Sequence, residues 1–173
     1  MGVFAEATAA KYGFTREDQD KFTIESVQRA QDAIKSGAFV DEIVPVKVAT
    51  KKGEVEFAVD EQPGKSDVTK IPTLKGAFAK DGTVTAASSS SISDGAAATV
   101  LMSADEAAKR GLKPIARIAA HATSSQEPEW FTTAPVSAIA NVVKKAGWKI
   151  EDVDLFEINE AFSVVAMAPI KEF

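Results

Sequence analysis

Asn159 and Glu160 stand where an apolar run, Leu155, Phe156 and Ile158, gives way to Ala161-Phe162-Ser163-Val164-Val165. This pattern reads as a buried strand ending in a polar turn that opens a helix. In open α/β sheets, ligands bind beyond the carboxyl ends of the strands, so an amide and a carboxylate here are placed to meet one. The plainer reading is that Asn159 caps the helix, because Asn is among the best N-cap residues. Lys65, Lys70, Lys75 and Lys80 follow an acidic, breaker-rich segment, Asp60-Glu61-Gln62-Pro63-Gly64. They form either a solvated loop or a positive landing strip for a phosphorylated ligand. Ser88 to Ser91 form a serine run flanked by small and apolar residues. Its composition suits a linker, but its flanks favour a packed turn that admits another backbone or a ligand.

The rest of the inventory excludes more than it offers. The chain has no cysteine, which removes disulfides, thiolate metal sites and cysteine nucleophiles together. Its one histidine, His121, leaves a single possible base for a Ser-His-Asp triad and rules out a multi-histidine metal site. His121 lies among alanines on an expected strand and reads as a structural or surface residue. A net charge of −5 argues against a general nucleic-acid binder. No run of about 18 apolar residues predicts a membrane span, and no secretory signal is visible.

Positioning these residues requires an ordered set of elements. Residues 3–12 read as a short helix stopped by Gly13. Thr15 to Asp18 match a capping box. The helix they open carries Phe22, Val27, Ala30, Ala33 and Ile34 toward one face and stops at Gly37. Residues 43–50 and 54–59 read as strands around Lys51-Lys52-Gly53, and residues 60–80 as a long loop. Ala96 to Met102 and Pro114 to Ala122 read as strands, with a helix between them from Ser103 to Lys109. Trp130 and Phe131 fall in a loop, and Pro135 opens a helix that ends at Gly147. Pro169 is expected to kink or shorten the last helix. Alternating strands and helices in the second half imply an α/β layer architecture.

Several stretches together resemble the thiolase family. Met1-Gly2-Val3-Phe4-Ala5-Glu6, Arg16 to Asp20 and Glu42 to Val46 resemble its loop domain. Gly82 to Ala86 with Ser93 to Ala98 resemble the passage into its C-terminal half, and Asn159-Glu160-Ala161-Phe162 resembles its Asn-Glu-Ala-Phe motif. Within the family, these stretches most resemble the acetyl-CoA acetyltransferase branch. The resemblance implies an α/β, thiolase-like fold, with a loop domain over residues 1–93 and the first part of a C-terminal α/β domain over 94–173. It also implies missing portions: a cysteine-bearing half upstream, and a Gly-His-Pro histidine and second cysteine downstream.

The family chemistry is a Claisen condensation of two acetyl-CoA molecules, or thiolysis in reverse. It needs a thiolate, a base and oxyanion donors. The resemblance makes Asn159 the catalytic residue, holding a water in an oxyanion hole, with Glu160 as a buttress of the turn. It places Ser90 on the pantetheine arm, Lys65 and Lys70 near the nucleotide of coenzyme A, and Met1, Phe131 and Phe162 at the substrate site. Coenzyme A is implied as substrate and product, with no other cofactor and no metal. The implied partners are acetyl-CoA, the missing thiolase halves and, for the parent, a homodimer or homotetramer, without nucleic acid or membrane. Three departures stand out. Val27 stands where potassium-dependent relatives carry a tyrosine, so no potassium site is implied. Ser88 replaces an asparagine, which puts the loop's internal hydrogen bonds in question. Thr132 follows Phe131 where thiolases of branched substrates carry proline.

Overall fold

The computed structural model describes residues 1–173. It opens with helices α1 (Gly2–Tyr12) and α2 (Arg16–Ser36). Both stop where the sequence predicts, at Gly13 and Gly37, whose φ angles of 68° and 69° lie in the left-handed region that side chains disfavour. Between them, the Thr15 hydroxyl accepts the Asp18 N–H, and the Asp18 carboxylate accepts the Thr15 N–H at 2.8 Å. These bonds satisfy orphan donors at the start of α2, and the Thr15 hydroxyl and N–H hold the Asp18 carboxyl below its usual range.

The expected apolar face of α2 is not what the protein buries. The buried residues are Gln19, Asp20 and Thr23; Phe22, Val27, Ala30 and Ala33 are half-buried, and Ile34 is exposed. Polar partners explain this. Arg16 pairs with Asp20 at 2.8 Å and donates to the Ile71 and Leu74 carbonyls, while the Gln19 amide donates to Thr83 Oγ1. Pairing of this kind offsets part of the cost of burying polar groups; Gln19 Oε1 is buried without a partner.

Strands β1 (Val46–Thr50) and β2 (Gly53–Phe57) form the only sheet, an antiparallel hairpin with Val48 opposite Val55. Every residue of both strands is exposed. The expected long loop contains a short helix, α3 (Glu61–Lys65), and a 3₁₀ turn, Val68–Thr73. Asp60 and Asp67 nucleate them by accepting the N–H groups of Gln62 and Thr69, an effect of Asp at N-caps.

In the second half, α4 (Ala104–Lys109) is capped by Ser103, and α5 (Ala134–Ala146) carries Pro135 in its first turn and stops at Gly147. The predicted loop around Phe131 is a 3₁₀ turn, Pro128–Thr133. Helix α6 (Ser163–Glu172) runs through Pro169 rather than stopping before it. Proline forfeits its own N–H bond, but its carbonyl still accepts the Phe173 N–H at 3.0 Å.

The three predicted strands of this half are corrected. Residues 96–102 and 114–122 are irregular and largely exposed, and residues 150–158 hold only a 3₁₀ turn, Ile150–Asp152. Ile115 and Leu155 are fully or almost fully in solvent. A strand needs a neighbour to take its N–H and C=O groups, and no segment of this chain pairs with these three.

The core is correspondingly small. Ala5 and Ala9 of α1, Val84, and Phe162, Val164 and Val165 at the head of α6 form its centre. At the other end of this packing, the Tyr12 hydroxyl donates to Glu172 at 2.8 Å, and Lys171 donates to the Tyr12 carbonyl. Burial and the Glu172 carboxylate push the Tyr12 phenol up to about 12. The whole chain exposes 13079 Å², whereas a compact monomer of 18.3 kDa exposes roughly 8,100 Å². No helix is long and apolar enough to cross a membrane.

Candidate functional site

The serine run and the Asn-Glu-Ala-Phe motif meet. Thr85 and Ser88 first close a tight turn in which Ser88 Oγ accepts the Thr85 N–H at 2.9 Å and the Ser88 N–H donates to Thr85 Oγ1 at 3.2 Å. Serine therefore supplies this loop with internal hydrogen bonds in place of the asparagine, which answers the question raised by that departure. Beyond the turn, Ser89 forms an antiparallel bridge with Phe162. The Ser88 carbonyl accepts the Ser163 N–H at 2.9 Å, and the Ser90 N–H donates to the Ala161 carbonyl at 3.0 Å. The Ser90 hydroxyl donates to the Glu160 carbonyl at 2.6 Å. The run is a packed element, not a linker.

This bridge also corrects the capping alternative for Asn159. The residue preceding α6 is Phe162, and no side chain caps that helix. The first N–H of α6 is already taken by the Ser88 carbonyl, so Asn159 is not its cap. The Asn159 side chain is exposed, three residues before the bridge partner. Glu160 accepts the Ser26 hydroxyl at 2.6 Å, which ties the motif to α2.

Phe162 is buried and meets Phe78 edge-on at 5.9 Å. Phe78 also covers Gly2, where an added Cβ would lie 2.1 Å from the ring. That close approach is why Met1-Gly2 needs its glycine. Met1 is exposed, and its carbonyl accepts the Phe4 and Ala5 N–H groups in the first turn of α1. From the same turn Phe4 meets Phe131 edge-on at 6.2 Å. Next to Phe131 in the chain, the Thr132 hydroxyl pairs with that of Thr8 at 2.6 Å, both residues being fully buried. Met1, Phe131 and Phe162 are thus gathered around the head of α1.

Lys65 and Lys70 lie on a separate segment along α2, where the Gln31 amide anchors the Pro63 and Ser66 carbonyls. Their exposed ammonium groups each sit 3.3 Å from an acid, Glu61 and Asp67 respectively. Thr69 and Lys70 hold the Asp67 carboxyl below its usual range, chiefly through the Thr69 hydroxyl. Exposed pairs of this kind are worth little, so neither acid holds its ammonium group strongly. A cleft lined by Arg16, Asp20, Lys21 and Ile24 runs along α2 and includes none of the predicted site residues. His121 is exposed on an irregular segment. No three His, Asp or Glu side chains gather as a metal site.

Sequence reasoning missed Glu6 and Thr8. Glu6 projects from α1 onto residues 83–84, and its carboxylate accepts the Thr83 and Val84 N–H groups, both at 2.9 Å. The available signal was a lone acid on a helix of small and apolar residues.

Comparison with known proteins bears on this arrangement directly. Residues 1–105 match the N-terminal domain of thiolases, and residues 112–173 match the thiolase C-terminal domain. The chain belongs to the thiolase family. It is 49% identical over 172 residues to a probable acetyl-CoA acetyltransferase of Dictyostelium discoideum, which it covers for 42% of that protein's length and 99% of its own. It is 50% identical to an acetyl-CoA acetyltransferase of Chromobacterium violaceum, covering 44% of it. Among solved thiolase structures, the acetyl-CoA acetyltransferase of Bacillus anthracis superposes with a TM-score of 0.95 at 42% identity, over 99% of this chain and 44% of that one. A thiolase of Ascaris suum in complex with coenzyme A superposes with a TM-score of 0.92 at 44% identity, with the same coverage. The thiolase-like α/β fold expected from the sequence is therefore the fold of this chain. The chain spans under half the length of these relatives.

Proposed function

We propose that this thiolase chain supplies the coenzyme A loops and one oxyanion donor of an acetyl-CoA acetyltransferase, and that it does not turn over substrate by itself. The carrying observation is the bridge between Ser88–Ser90 and Glu160–Phe162. It holds the residue proposed for the pantetheine arm, Ser90, close to the proposed oxyanion residue, Asn159. An exposed amide suits that role, since it is neutral and orients a water without competing as a base. Lys65 and Lys70 would meet the phosphates of coenzyme A, and Met1, Phe131 and Phe162 would line the substrate site. With no cysteine in the chain, the acyl-accepting thiolate has to come from another segment or chain. The same holds for the base that deprotonates the second acetyl-CoA. The complete enzyme would be a homodimer or homotetramer.

Titration calorimetry with coenzyme A tests this reading. The chain should bind weakly, and the double variant Lys65→Ala, Lys70→Ala should bind less. Equal affinity in the variant would remove those lysines from the site. Thiolysis of acetoacetyl-CoA by the purified chain, above background, would overturn the claim that it is inactive alone.

A second reading, a non-catalytic binding or interaction fragment, has its own observation. The exposed apolar stretches around Ile92, Leu101, Ile115 and Leu155 lack ladder partners, and unpaired edges of this kind pair with other chains. Coenzyme A binding without turnover in any reconstituted assembly would favour it.

A further inference from the structure

The serine loop has a fixed geometry, although it lies beside exposed, irregular chain. Its anchor is on α1. The Glu6 carboxylate accepts the Thr83 N–H through Oε2 and the Val84 N–H through Oε1, both at 2.9 Å, with the Thr83 hydroxyl at 3.2 Å. No cation pairs with it. Neighbouring residues make room for this contact: an added Cβ on Gly82 would stand 2.2 Å from Glu6 Oε1. The contact then propagates along the chain. Val84 is fully buried in the core, and its carbonyl accepts the Ala77 N–H at 2.8 Å. Thr85 and Ser88 close the turn, and Ser88 and Ser90 lock onto Ser163, Ala161 and Glu160.

We infer that Glu6 is the positioning residue of the serine loop, its carboxylate setting the register of Ser88–Ser90 against Glu160–Phe162. A carboxylate does this better than an amide because both of its oxygens accept, and two adjacent backbone N–H groups need two acceptors. Hydrogen bonds to a charged acceptor are also the stronger class. The consequence for coenzyme A rests on the reading of Ser90 given above; the positioning role does not.

The test is amide hydrogen exchange on the whole chain and on its Glu6→Ala and Glu6→Gln variants, alongside coenzyme A calorimetry. In Glu6→Ala, exchange at Thr83, Val84, Ser90 and Ser163 should accelerate by about tenfold or more, while α2 and α5 keep their protection. Glu6→Gln retains one acceptor oxygen and should fall between the two. Coenzyme A affinity should drop in the same order. Unchanged protection at Ser90 and Ser163 in Glu6→Ala overturns the inference. So does loss that is uniform over the chain in both variants, since Glu6 would then hold the fold rather than the loop. If the unaltered chain does not bind coenzyme A, the substrate reading fails, and the exchange data still decide the role of Glu6.

Discussion

Two regions of similar apolar content behave in opposite ways. Around α1, the serine loop and the head of α6, small and apolar residues are buried and nearly every backbone group is paired. In residues 91–122, Ile92, Val100, Leu101, Ile115 and Ile118 stand in solvent, and only α4 interrupts irregular chain. Composition does not separate the two. The difference is whether a partner element is present within the chain. A helix satisfies its own backbone and needs only one covered face, whereas a strand needs a neighbour on the edge as well.

The sharpest way to break this contrast is to truncate one large apolar side chain in each region. Phe162→Ala removes a buried ring from the core and should destabilise the chain by about 3–5 kcal/mol, read from urea unfolding. Ile115→Ser should change stability by no more than about 0.5 kcal/mol while reducing self-association in light scattering. Equal costs at the two positions would mean that the exposed region is packed in solution.

A smaller effect probes the boundary between α1 and α2. Thr15→Ala removes the side-chain half of the capping box and should cost about 1 kcal/mol. The same site carries a pH dependence. The Asp18 carboxyl is held below its ordinary value by Thr15, so the folded state binds that proton less readily than the unfolded chain. The stabilisation is present above about pH 4 and is lost as pH falls through and below that range. Circular dichroism of unfolding between pH 6 and 3 should show a slope that Thr15→Ala diminishes.

The smallest effect is spectroscopic. Tyr12 is the only tyrosine, so absorbance at the phenolate band follows it alone. Its titration should centre on about 12. Because the folded pKa is raised, the stabilisation is complete below pH 10 and fades as pH rises toward 12. Glu172→Gln should lower the midpoint by removing the neighbouring charge.

These contrasts also explain what was legible in the sequence. Gly13, Gly37 and Gly147, the Thr15 and Ser103 caps and Pro135 all marked true boundaries, because capping chemistry acts within one turn and leaves its signature in adjacent residues. The strands at 96–102, 114–122 and 154–158 were not legible as formed elements, since alternation shows that a segment fits a sheet but not that a neighbour exists. Asn159 illustrates a third case. Its residue type suits a cap, yet the Ser163 N–H is already taken by the carbonyl of Ser88, which precedes Ser163 by 75 residues. The polar buried face of α2 was equally hidden, because the partners of Arg16 and Gln19 are Ile71, Leu74 and Thr83, far along the chain. Family resemblance reached the fold; local periodicity alone did not reach it, and neither showed that the serine run bridges to Phe162.

The Ser90–Glu160 hydrogen bond joins residues 70 apart in sequence, and the Thr8–Thr132 pair joins residues 124 apart. Both contacts close large loops, so the chain gives up entropy before either contact contributes. No local nucleus can form this site. Helices α1 and α2 can begin to wind within their own turns, but the serine loop finds its partner only after the intervening chain has been drawn together. The candidate site is therefore a product of the whole chain's closure, and its presence reports that both ends of the chain have met.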